Sequence, residues 1–463
     1  MKQFIRLWFA LQLALAFGTV ELFAQERPTL PDYVISEFGV PPAIPDGPLS
    51  DDLAQAVQRT FYGSIAPVGS VSRSTWDVTN SQALQTIVAA RDPRIVWSIS
   101  DLMRFVWQRE VFEELANASA ELLGITFDTA TEDRWAEITD HLIAWDIPAY
   151  PTYLDAKRAI YTNAVHGWDG LFVEGAIDWR MVSWGGVPID ARAYDTTDTP
   201  CNCIPAADNP EVTTTTDATW LKDSDIVFGI EINGETRAYP RRIMEVREMV
   251  NDTLGGRDLG IPYCTLCGAA QAYFTDDLPT GVERPVLRTS GLLIRSNKVM
   301  YDVRTWSIFD TFLGHAVTGP LAEIGVTLNQ ATVITTDWGT WKATHPDTTV
   351  LSEALALGRD FDLRNTRDAN GPIFPVGNVD PRLPVQEDVI GAITASGIPI
   401  AFPRGAAFLA LQAGQEITFE NIELVLNAGG LSAVDKDGVD VPSHQAFWFA
   451  WSQFYPKTEV WSG

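Results

Sequence analysis

Four cysteines stand in two close pairs, Cys201-Asn202-Cys203 and Cys264-Thr265-Leu266-Cys267, with Gly268 after the second. Two cysteines three residues apart can share one tight turn. A glycine there permits a positive φ and lets backbone N–H groups point at the sulfurs. Such a knuckle suits one half of a four-sulfur zinc or iron site, and the same spacing suits a thiol–disulfide pair. With Cys201 and Cys203 as the other half, the four cysteines allow one metal site or three disulfide connectivities. Gly268, not His, follows the second cysteine, so this is no c-type haem attachment. Ala269 to Phe274 reads as a strand, which leaves no helix N-terminus of the thioredoxin kind to lower a thiol pKa. The histidines are 141, 166, 315, 345 and 444, and none forms a His-x-His or His-x-x-x-His pair. His315 is the best candidate for an additional metal ligand. His345 reads as a packing or capping residue.

A second polar group follows Ser290-Gly291: Asn297, then Asp302, Arg304, Thr305 and Ser307. Asp302, Arg304 and Thr305 are the candidate catalytic residues of a hydrolase or lyase, binding a polar ligand or positioning a water. The same three residues also fit a salt-bridged turn. Asn251-Asp252 before Gly255-Gly256 reads as a turn. There is no nucleophile elbow, P-loop, dinucleotide fingerprint or zinc-protease helix, so no nucleotide cofactor is expected.

These residues must be positioned by larger elements. Ile226 to Ile232, then Asn233-Gly234, then Glu235 to Tyr239 predicts a hairpin, because Asn-Gly suits two successive positive φ angles. Asp225 to Arg241 aligns without gaps on Asp388 to Arg404, placing Tyr239 opposite Phe402, and Trp338 to Ser352 aligns on Trp448 to Ser462. Two matches in the same order predict duplicated domains. The first copy then holds an extra segment over 276 to 330, and it alone carries the Cys264/Cys267 turn. Upstream, apolar residues recur at helical spacing from Ile95 through Val165. Asp92-Pro93 signals one helix start and Gly124 a helix end.

The chain has 463 residues, too many for one compact core. Sixty acidic against 33 basic residues give a net charge of -27, which repels phosphate backbones and argues against nucleic acid as a partner. Lys2 and Arg6, an apolar stretch from Leu7 to Val20 and Ala24 before Gln25 read as a cleaved secretory signal. The run is too short for a membrane span, and no later segment is long and apolar enough for one. The expected location is therefore periplasmic or secreted, where thiols oxidise.

The succession Asn-Gly-Glu-Thr-Arg-Ala-Tyr-Pro, Val-Asn-Asp, Tyr-Cys-Thr-Leu-Cys-Gly, Ser-Gly-Leu-Leu, Val-Met-Tyr-Asp and Trp-Lys-Ala-Thr-His-Pro-Asp closely resembles an exported bacterial and archaeal family, domain of unknown function 3179. The resemblance covers about residues 190 to 463 and implies no reaction. The family's usual residues are Pro where Thr265 stands and often His where Arg247 stands, and cysteines are not expected where Cys201 and Cys203 stand, so a four-sulfur site would be peculiar to this chain.

The reading is an α+β protein. Residues 1–24 are a signal, 25–75 an extended Pro-rich leader and 76–185 a helical domain. Residues 186–352 form a first β-rich repeat, 353–387 a linker and 388–463 a second, shorter repeat. The expected function is a cysteine-centred metal (zinc or iron) or thiol-redox site at Cys264, Cys267, Cys201 and Cys203, with His315. The alternatives are a non-catalytic binding or scaffold protein with structural disulfides, and an Asp-based hydrolase or lyase. The partner is a small molecule or a protein of unspecified kind.

Overall fold

The computed structural model describes residues 29–68, 71–128, 133–196, 199–352 and 371–463. The signal expected at 1–24 and most of the linker lie outside these residues. The amino-terminal region is helical, with helices Asp32–Phe38, Asp51–Phe61, Val78–Ala90, Val96–Met103, Arg109–Leu123, Arg134–Ala144 and Tyr153–Ala164. Asp92 accepts from the Arg94 N–H and caps the 3-10 turn Pro93–Ile95 that leads into Val96–Met103, and Gly124 closes Arg109–Leu123 at φ 68°. The leader expected to be extended instead holds two helices. In Asp51–Phe61 the Ser50 hydroxyl accepts from the Leu53 N–H, and Leu53, Ala56, Val57 and Phe61 share a buried face. That cap and apolar face win because no proline falls between residues 49 and 66.

From Val182 onward the chain is β-rich with short helices. The segment 276 to 330 supplies strands Leu287–Ile294, Asn297–Asp302 and Ile308–Asp310 of one sheet, and Val182–Trp184 closes that sheet beside Leu287–Ile294. Leu292, Val299, Tyr301 and Ile308 join the core formed by the helices. The boundary expected at 185/186 is therefore no seam, since one sheet and one apolar core cross it.

Two further sheets share an order. One runs Ile334–Asp337, Ile226–Ile232, Glu235–Pro240, Thr349–Leu351 and is extended by Val212–Thr214; the other runs Ser443–Phe447, Asp388–Ile393, Pro399–Pro403, Glu459–Val460. In both, the last of these four strands runs parallel to its neighbour, Val350 beside Ala238 and Val460 beside Ala401. Trp341 and Trp451 lie on Gly229 and Gly391, where an added Cβ would come within 2.2 and 2.0 Å of the indole. Their Nε1 groups donate to Thr348 at 3.0 Å and Thr458 at 2.9 Å. His345 packs on Trp341 with ring centroids 4.3 Å apart, the packing position expected for it, and Tyr455 packs on Trp451 at 4.4 Å. The hairpins correct the gapless alignment. Val227 pairs with Pro240 but Val389 with Pro403, so the second hairpin holds one more residue. Asn233 and Gly234, at φ 52° and 81°, make the tight two-residue turn of the first. Among the described residues no helix is long and apolar enough to cross a membrane.

Candidate thiol site

Strand Arg257–Cys264 ends at the first cysteine. The Cys267 N–H donates to the Cys264 carbonyl at 3.2 Å, and Gly268, at φ 60°, returns the chain so that Ala269 pairs with Cys264 and Ala270 with Tyr263. This turn sets the two sulfurs 2.9 Å apart, both buried and neither in a disulfide. A second turn, Arg295-Ser296, has both residues in the left-handed region at φ 45° and 71°. Its Ser296 carbonyl accepts from Cys264 at 3.8 Å and Cys267 at 3.6 Å, and Asn297 Oδ1 accepts from Cys267 at 3.4 Å. The Phe447 N–H donates to the Cys267 carbonyl at 2.8 Å, and its ring lies over Gly268.

Lys298 is 4% exposed. Its ammonium meets Glu248 Oε2 at 3.1 Å and donates to the Glu248 and Tyr263 carbonyls. Thr265 Oγ1 donates to Glu248 Oε1 at 3.3 Å, a bond that a proline at this position would lack. Glu248 ends helix Arg241–Arg247 at φ 49°. Burial pushes the Cys264 thiol up, and Glu248 adds to that push. The hydrogen bond from Cys267, the Lys298 backbone N–H and the Lys298 charge outweigh both, so Cys264 ionises below the ordinary thiol range. Cys264 opens on a cavity of about 240 Å³, walled by Lys298, the Arg241–Glu245 ion pair (2.7 Å) and apolar Leu266, Ile373 and Phe374. Cys267, fully buried, sits behind it. A thiolate facing an open space with a second thiol in bonding reach can exchange disulfides or hold a soft metal through sulfur.

The structure does not assemble the four-sulfur centre. Cys201 and Cys203 are joined in a disulfide. The group that contains them is completed by Asp190, each residue bringing a ligand atom within 4.8 Å of the others, and could hold a metal ion. Two features stand against it in this state. The sulfur–sulfur bond consumes the two thiolates, and Asp190 Oδ2 accepts from Arg192 at 2.7 Å and the Ala206 N–H at 2.9 Å. His315 is exposed, its main chain bridged to Thr327, and belongs to no group of three ligating side chains among the described residues. Asp302 is buried and accepts from the Val286 N–H, the Thr305 N–H and the Thr305 hydroxyl at 2.7–3.0 Å. Arg304 turns away to Glu283 at 2.6 Å. Asp302 thus caps a turn that holds Thr305, while Arg304 is occupied by the segment at 283–284, so the three do not converge on a shared ligand position. Asn251, expected in a turn, is buried in strand Met249–Leu254, where its amide donates to Asp208 and the Leu287 carbonyl; the turn comes later, at Gly255-Gly256.

Lys298 and Glu248 were not singled out by their types or spacing. The available signal was a lysine opening an otherwise apolar strand, Lys298-Val299-Met300-Tyr301, in a chain poor in lysine. A family model described as "Protein of unknown function (DUF3179)" matches residues 201–439. No curated protein and no solved structure matches the chain.

Proposed function

The chain belongs to that family, whose description carries no reaction, and we propose from the geometry that Cys264 and Cys267 form a thiol–disulfide redox centre. One observation carries the reading: two thiols 2.9 Å apart and outside any disulfide, with Cys264, whose pKa is lowered, lining a cavity and Cys267 buried behind it. Among the described residues no third His, Cys, Asp or Glu joins them in a metal-ligand group, which favours redox over metal chemistry at this turn. In the forward step the Cys264 thiolate attacks one sulfur of a substrate disulfide. A mixed disulfide forms, and the other substrate sulfur leaves as a thiolate that takes up a proton. Cys267 gives up its proton and attacks Cys264 Sγ, which releases the second substrate thiol. The protein ends oxidised by two electrons, and an external dithiol returns it to the starting state. Lys298 stabilises the attacking thiolate, and Glu248 holds Lys298 in place.

Hydroxyethyl disulfide tests this. The Cys267→Ser protein should accumulate a mixed disulfide on Cys264, visible by intact mass. The Cys264→Ser protein should form none, and the wild type should pass to the internal disulfide. Equal labelling of both single variants would defeat the assignment.

The same reading places the protein outside the cytoplasm, in line with its signal-like first 24 residues and the Cys201–Cys203 disulfide. It also takes the two similarly ordered sheets as copies of one unit. The support is the shared strand order, the Trp341/Gly229 and Trp451/Gly391 contacts, and buried Tyr239 and Phe402, each next to a proline.

A further inference from the structure

Beyond the Arg295-Ser296 turn lies a second cavity, of about 220 Å³. One part of its wall donates hydrogen bonds. Arg295 lines it, gives its Nε–H to Met181 Sδ at 3.3 Å, and has no carboxylate within 4.0 Å among the described residues. Asp178 lines the same cavity, but its carboxylate is engaged by Arg180 at 2.6 Å. Another part of the wall accepts. Asp310 Oδ1 takes the N–H groups of Phe312 and Leu313 at 2.9 and 3.0 Å, and no cation lies within 4.0 Å of this carboxylate among the described residues. Gln453 Oε1 is buried without a hydrogen-bond partner, its amide donating to the Val376 carbonyl at 3.2 Å. Asp178 and Asp146 favour the charged guanidinium without a direct ion pair, and burial pushes the Asp310 carboxyl up to about 6. Ile177, Ile294, Val317 and Phe454 supply an apolar lining.

Arg295 and Asp310 are each only partly exposed and neither makes a direct ion pair among the described residues, so a ligand that brings the opposite charge to each finds both groups available. We infer that this cavity binds a free α-amino acid. The ligand carboxylate sits on Arg295, its ammonium on Asp310 and Gln453 Oε1, and an apolar side chain against the lining. This site stands independently of the thiol chemistry.

Thermal unfolding of the full chain, followed with each of the common free L-amino acids and with acetate and methylammonium as half-ligands, tests it. At least one amino acid should raise the midpoint in a concentration-dependent way that neither half-ligand reproduces. Arg295→Met and Asp310→Asn should each weaken that binding about tenfold or more. Gln453→Leu, which removes the orphan acceptor and no charge, serves if either variant fails to fold. Absence of any shift across the panel, acetate binding as tightly as the best amino acid, or undiminished binding in the variants would overturn the assignment.

Discussion

Asp140→Asn should make the protein more stable at neutral pH and leave it unchanged in acid. Asp140 lies on helix Arg134–Ala144, and its Oδ1 accepts the N–H groups of Val376 and Gly377, both at 2.8 Å. Burial is the main force that pushes this carboxyl from 3.8 up to about 6; the two N–H bonds oppose it, and Glu37 and Asp133 add to it. A folded-state value above the unfolded one means that the folded chain holds the proton more tightly. The resulting stability is complete below about pH 4 and is lost as pH rises through about 6. About two pKa units, at about 1.4 kcal/mol each, put the penalty of the buried anion near 3 kcal/mol above pH 6. Asparagine keeps the carbonyl that Val376 and Gly377 use and carries no charge. The expected gain is about 1 to 3 kcal/mol at pH 7.5 and none at pH 4. Urea denaturation at the two pH values measures it. A variant that folds normally yet is no more stable at pH 7.5 would show that the two N–H bonds, not burial, decide the ionisation of this group.

Gly229→Ala and Gly391→Ala each force a Cβ to within 2.2 and 2.0 Å of a buried indole, so each should lower stability by about 2 kcal/mol or more in urea melts. A loss at only one of the two positions would speak against equivalent packing in the two sheets. Lys298→Met removes a charge that favours the Cys264 thiolate; the midpoint of the pH profile of iodoacetamide labelling should move up, and an unmoved midpoint would take Lys298 out of the site. The Cys201–Cys203 disulfide closes a very short loop, so the double Cys→Ser variant should lose about 1.5 kcal/mol or less. A larger loss would mean that the bridge braces folded contacts as well.

What could be read from the chain was local. Asp92, Gly124 and the Asn233-Gly234 turn carry their conformations in their own residue types, and Gly268 marks the turn that presents the two sulfurs. The partners of those sulfurs were not readable, because they arrive by strand pairing across long separations: Glu248 from before the turn, Ser296, Asn297 and Lys298 from the next hairpin, Phe447 from the last third of the chain. A one-dimensional pattern holds no register between such segments. The polar residues at 302–307 drew attention for the opposite reason. Asp302, Thr305 and Ser307 bond to one another, and their other partners, like those of Arg304, come from neighbouring segments. The Pro-rich leader misled because proline content describes residues 28 to 48 and says nothing of the amphipathic run that follows.

The grip of Phe447 on the cysteine turn has a consequence for biogenesis. Cys264 and Cys267 share their apolar surroundings with Val389, Ala401, Ala446, Trp448 and Trp451, and the Cys267 carbonyl is capped from residue 447. During synthesis the dithiol emerges some 180 residues before its lid. Until residues 443–451 have been made and docked, both sulfurs belong to an unenclosed loop, open to any oxidant or metal the nascent chain meets. The oxidation state in which the site closes is thus set by the order of synthesis and by the environment of the growing chain, before the finished cavity can select anything.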